Sequence, residues 1–143
     1  RKAVGSAGAL MTPDGHVLLV RRAYPPNDWV MPGGNAEAGE SPIATMRREV
    51  LEEVGLDVRP ARLTGVYHQS DHRAGEFIHF VFLVPITPDP PVRMDPAEIA
   101  DWGLFPPDAL PEPMSASTRI RLADAVTPRG SFLPVELPPR SEG

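Results

Sequence analysis

The stretch GNAEAGESPIATMRREVLEEVGL, from Gly34 to Leu56, decides the fold. Gly34 and Glu40 precede Arg48-Glu49-Val50, Glu52-Glu53 and Gly55-Leu56 at intervals that only a helix turns into a pattern. Ser41 followed by Pro42 starts that helix: a serine hydroxyl accepts from the orphan amides of the first turn, and proline needs no amide partner at the first helical position. Gly55 stops it, since glycine takes the left-handed cap without steric cost, and Pro60 blocks any continuation. The predicted helix runs from Pro42 to about Val54. Ile43, Met46, Val50, Leu51 and Val54 recur three or four apart and form an apolar stripe for a core. Glu49, Glu52 and Glu53, at i, i+3 and i+4, share the other face.

Three like charges one turn apart repel, and each such pair costs an isolated helix roughly 0.2 to 0.5 kcal/mol. Arg48 pairs with Glu52 at i+4, which by itself describes a solvated, salt-bridged helix face. The alternative is a hard divalent cation, which the three carboxylates converge upon. Magnesium takes oxygen ligands, keeps several waters, and is held by one or two carboxylates plus substrate phosphates. Upstream, Trp29-Val30-Met31-Pro32-Gly33-Gly34 supplies a short extended piece and a Gly-Gly turn where backbone approaches a ligand closely. That turn is the expected mouth of the site.

Together these positions resemble the Nudix box, the signature of hydrolases that cleave a nucleoside diphosphate linked to another moiety, and each fixed position of the box is matched. More loosely the resemblance extends to the Pro-Gly-Gly approach, the strand before it and the region from Glu98 to Trp102. It implies a Nudix-type α/β/α sandwich with a mixed β-sheet. It also implies hydrolysis of a pyrophosphate linkage by substitution at phosphorus, with Mg2+ as cofactor and Mn2+ as a substitute. By resemblance Glu49, Glu52, Glu53 and the backbone of Gly33 hold the metal, Arg48 orients Glu49, and Glu40 supports the loop or an outer metal water. The general base varies within the family, and Glu49 is the first choice here. A short chain without an extra N-terminal domain points to a nucleoside or deoxynucleoside triphosphate, oxidised ones included. ADP-ribose or a nucleotide sugar is the alternative, and a catalytically inactive nucleotide-binding module is a third reading that the intact carboxylates disfavour.

At 143 residues the chain has single-domain size. A formal charge of -5 argues against a nucleic-acid polymer as partner, because phosphate backbones are met by net basic surfaces. A few placed arginines and a bound cation still suit a small nucleotide. No cysteine is present, so thiol catalysis and disulfides are excluded. With no signal peptide and no apolar run long enough to span a membrane, a soluble cytoplasmic protein, monomer or homodimer, is the expectation. Thirteen arginines stand against one lysine, a mark of a GC-rich coding genome and not of function.

Ala3 to Met11 reads as a strand, Thr12 to Gly15 as a turn and Val17 to Arg22 as the returning strand. Ala61 to Gln69 and Glu76 to Val84 form a predicted hairpin, the second strand too continuously apolar to be covered on one face only. Pro85 to Pro96 holds five prolines and is an extended loop. Ala100 to Phe105 is a last short strand, and Ser115 to Val126 a helix capped by Ser115 or Ser117. Residues 1–127 make one domain, and residues 128–143 a proline-rich tail that is either a free end or an arm docking on its own core or a second subunit.

Outside the box the candidates are weaker. Alternation puts Arg21 and Arg22 on opposite faces, and Arg22 is the candidate phosphate ligand. Glu98 is either a further metal or base glutamate, as the family often places there, or a solvated loop carboxylate. Trp29, Phe77 and His79 either border a base pocket or pack in the core. His68 and His72 read as surface histidines.

Overall fold

Strand β1 (Lys2–Met11) carries the sheet, and the way it shares its two edges creates the site. The computed structural model describes residues 2–71, 75–127, 135–137 and 139. One edge of β1 pairs in parallel with β6 (Gly75–Pro85) along its whole length, from Lys2 opposite Glu76 to Met11 opposite Pro85. The other edge is divided. Leu10 and Met11 pair with β2 (Val17–Arg22), whereas Gly5, Ser6 and Ala7 pair with β4 (Gly33–Asn35). Between them the Gly8 amide donates to the Pro32 carbonyl at 2.9 Å.

Beyond β2 lie β3 (Trp29–Val30) and β7 (Ile99–Phe105), both antiparallel to it. Beyond β6 lies β5 (Arg62–Asp71), antiparallel as the predicted hairpin requires, its connecting residues 72–74 falling outside the described ones, His72 among them. Within the tail, β8 (Val135–Glu136) adds to β5 in parallel. Leu137 follows, buried, its amide donating to the His68 carbonyl at 2.7 Å.

Helix α1 (Pro42–Val54) covers one face and α2 (Ala116–Val126) packs on the other, so the sheet is the middle layer of the expected sandwich. The period of two in β2 sends Leu18 and Val20 toward Met46, Val50 and Val54 of α1, and Val17 and Leu19 toward Leu122 and Ala125 of α2. In β6, Val81 faces α2 while Phe82 and Val84 face α1, which explains its continuous apolar run. Tyr67, wholly buried in β5, donates its hydroxyl to Asp124 of α2 at 2.7 Å and so ties that helix down. Burial and the Asp124 carboxylate both push the Tyr67 hydroxyl pKa upward.

Serine makes the N-caps of α1 and α2. Ser41 Oγ accepts from the Ala44 amide at 3.1 Å, and Ser115, not Ser117, accepts from Thr118 at 3.1 Å. Gly55 closes α1 at φ 73°, donating to the Leu51 carbonyl at 3.0 Å.

Two expectations about α1 are corrected. Ile43 and Leu51 are not core residues but 46% and 54% exposed, because the sheet covers only the narrow stripe of Met46, Val50 and Val54. Glu53 does not share the solvated face of Glu52. It follows Val50 by three residues, lies at the edge of the buried stripe, and is 8% exposed. The expected Gly-Gly turn is likewise a short strand, since Gly33 and Gly34 pair with Ala7 and Ser6. No helix of the described residues is long and apolar enough to cross a membrane.

Candidate active site

Where β2 and β4 leave β1 in different directions, a cleft of about 240 Å³ opens in the sheet. Glycine is needed at its lip for reasons of space. A Cβ on Gly33 would lie 2.3 Å from the Ser6 carbonyl oxygen, and one on Gly34 would lie 2.5 Å from the Glu49 carboxylate. Thus β4 presses its backbone directly against the carboxylates of α1.

Arg48 organises those carboxylates. Its Nε and Nη2 donate to the two oxygens of Glu40 at 2.7 and 3.0 Å, its Nη1 to Glu49 at 2.7 Å, and its Nη2 also to the Asn35 carbonyl at 3.0 Å. The contact to Glu52 is longer, 3.3 Å. Glu40 in turn accepts from the Glu37 amide at 3.1 Å and the Thr45 hydroxyl at 2.8 Å, so it fastens the loop before α1 to the helix. The Arg48 hydrogen bond, helped by the Glu37 amide and the Thr45 hydroxyl, pulls the Glu40 carboxyl down to about 2.

Glu53 is held in the opposite electrostatic condition. Burial first, then the hydrogen bond and charge of Glu49 and the charge of Glu98, push its carboxyl up to about 9, although the Gly33 amide donates to it. A carboxyl so crowded is poised for a cation. A second sign lies on the cleft wall, where the buried Ser6 Oγ has no hydrogen-bond partner among the described residues. The donors are all oxygen, as a hard divalent ion prefers. Among the described residues no three Asp, Glu or His side chains already form a ligand set, so an ion would complete its shell with backbone, water and substrate oxygens.

The remaining candidates divide. Arg22 lines the cleft, but its guanidinium is engaged, donating to Asp28 at 2.6 and 2.7 Å and lying over Tyr24. Glu98 lines it as well, from the loop before β7. His79 reaches the cleft with Phe77 stacked behind it, centroids 5.9 Å apart. Trp29 is buried edge-on against Phe105 at 5.1 Å, in the core rather than in the lining. Residues not singled out from sequence also border it, Tyr24, Asn35 and Arg121. Arg121 comes from α2, distant in sequence from the box, and only the topology brings it here.

Acidic oxygens gathered at the end of an open cleft, with guanidinium groups on its walls, suit hydrolases that attack phosphoanhydrides with the help of a divalent cation. Residues 2–125 match the family model of the NUDIX domain, and the chain belongs to that family of pyrophosphohydrolases acting on nucleoside diphosphate derivatives. A MutT-like protein of Streptomyces ambofaciens is 34% identical over 127 residues, covering 89% of this chain and 79% of the relative. A diphosphoinositol polyphosphate phosphohydrolase 2 of Rattus norvegicus is 33% identical over 73 residues, 51% of this chain but 41% of that protein. The crystal structure of a MutT NUDIX hydrolase from Burkholderia pseudomallei superposes with a TM-score of 0.74 at 28% identity, covering 87% of this chain and 98% of that one.

Proposed function

We propose that this protein hydrolyses the pyrophosphate linkage of a nucleoside or deoxynucleoside triphosphate, oxidised ones included, with magnesium as cofactor and manganese as a substitute. The observation that carries this is the position of Glu53, buried beside Glu49 and Glu98 at the foot of an open cleft. Glu49, Glu52, Glu53 and the backbone of Gly33 would hold the ion, with Glu98 on the loop side. When bound, the ion neutralises phosphate charge and acidifies a water. Glu49 takes the proton from the attacking water, and Arg48 keeps that carboxylate aimed while Glu40 keeps Arg48 in place. Arg121 on the cleft wall, joined by Arg22 once substrate phosphate takes the place of Asp28, suits a substrate with more charge than one cation offsets, which favours a triphosphate. Tyr24 and His79 offer flat faces to a base. The proposed setting is the cytoplasm, as a monomer or homodimer.

The test is a turnover panel with magnesium and with manganese, covering nucleoside triphosphates, oxidised guanine nucleotides, ADP-ribose, nucleotide sugars and a diphosphoinositol polyphosphate, with product identification. Release of pyrophosphate and a nucleoside monophosphate from a triphosphate supports the assignment. Faster cleavage of ADP-ribose or a nucleotide sugar replaces it with the alternative substrate class. Full activity in Glu53→Gln would overturn the metal site itself.

A further inference from the structure

Glu53 and Glu98 reach the same cleft from different elements, α1 and the proline-rich loop, and the backbone between them is continuous in hydrogen bonds. The last carbonyls of a helix have no partner inside it. Here the loop supplies partners. The Arg93 amide donates to the Val54 carbonyl at 2.8 Å, and the Asp95 amide to the Glu53 carbonyl at 3.1 Å. Asp95 then reverses the chain. Its Oδ1 accepts from the Ala97 amide at 3.0 Å, and its carbonyl accepts from the Glu98 and Ile99 amides at 3.1 and 2.8 Å. The Glu98 carbonyl is fixed in turn by the Ala23 amide at 2.9 Å, and Ile99 is buried. From Glu53 to Glu98 the path is two backbone hydrogen bonds, with Asp95 between them.

We propose that Asp95 is a positioning residue for the reaction: its side-chain turn sets Glu98 against the carboxylates of α1, so that both elements present oxygens to one divalent cation. This rests on the metal-site assignment above. Asp95 itself does not line the cleft, so it acts through Glu98. Groups that orient metal ligands typically change affinity by about 10- to 100-fold when removed.

The experiment is titration of metal-free protein with Mn2+, followed by calorimetry and by electron paramagnetic resonance of the free ion, without substrate. Asp95→Ala should weaken Mn2+ binding about tenfold. Asp95→Asn, which keeps the accepting Oδ1, should restore most of it. Glu98→Gln should weaken binding similarly, and the double variant Asp95→Ala with Glu98→Gln should lose no more than Glu98→Gln alone, since both act at one ligand. Asp95→Leu, close to Asn in shape but without the accepting oxygen, should reproduce the Asp95→Ala effect and serves if Asp95→Ala folds poorly. Wild-type affinity in folded Asp95→Ala or Asp95→Leu overturns the proposal, as does wild-type affinity in Glu98→Gln. Additive losses in the double variant overturn it too. Glu53→Gln is the separate control: if it binds Mn2+ normally, the metal-site assignment has failed, whereas its loss beside a normal Asp95→Ala leaves that assignment standing and only the positioning role refuted.

Discussion

The guanidinium of Arg48 grips Glu40 with two parallel hydrogen bonds, Nε to Oε2 at 2.7 Å and Nη2 to Oε1 at 3.0 Å, while its remaining nitrogen reaches Glu49 at 2.7 Å. A lysine ammonium cannot reproduce that fork. Arg48→Lys should therefore keep the helix but lower kcat/KM by about 10- to 100-fold, measured on the substrate the panel identifies, with an unchanged far-ultraviolet dichroism spectrum.

Glu40 ties stability to acid. Its carboxyl titrates at about 2 in the folded protein against an ordinary value of 4.5. A group depressed in this way contributes stability that is fully present above about pH 4.5 and is lost as pH falls through about 2. Urea unfolding of wild type and Glu40→Gln between neutral pH and pH 2.5 should show a gap that narrows with acid. A gap that stays constant would mean that the carboxylate charge does not matter there.

Metal should stabilise the fold because the carboxylates around Glu53 exist as a cluster only when folded. At a free magnesium concentration about 100 times its Kd, unfolding should cost about 2.7 kcal/mol more. Thermal scans with magnesium and with chelator would show this as a rise in Tm, and the rise should vanish in Glu53→Gln.

Gly34→Ala separates site from scaffold. The added Cβ would stand 2.5 Å from the Glu49 carboxylate, the movable end of a side chain, so the carboxylate swings aside rather than the sheet. Activity should drop about 100-fold, the cost of roughly an ångström of misplacement at a reacting group, while Tm changes little.

Met46→Ala should do the reverse. Met46 is wholly buried between α1 and the sheet. Its truncation should lower unfolding free energy by about 2 to 5 kcal/mol in urea titrations, with the activity of the remaining folded protein preserved.

Much of this was legible in the chain because caps and periodicity are local. Ser41, Pro42 and Gly55 bound α1 where the sequence places it, since each acts on backbone within one turn. The burial of Glu53 was not legible, because its place at the rim of the covered stripe depends on where β4 lies against β1. Nor was Gly33-Gly34 as a strand: glycine pairs speak of turns, and only contact with Ala7 and Ser6 makes them a ladder. Arg48 was readable as a partner of Glu52 from spacing and of Glu49 from the resemblance, yet its two-pronged grip goes to Glu40, across a loop whose path the sequence does not state. Arg121 illustrates the limit, since no spacing links a residue of α2 to a cleft floored by α1.

The division of β1 between β4 and β2 means that the cleft is a gap within one sheet, not a seam between two bodies. Its aperture is set by the few residues, from Ala7 to Leu10, over which the strand hands its hydrogen bonds from one neighbour to the next. Loops at the rim can lengthen and change what is admitted without touching that handover. To widen the gap itself, an engineer would have to shift the handover along β1, and with it the register of two strands at once.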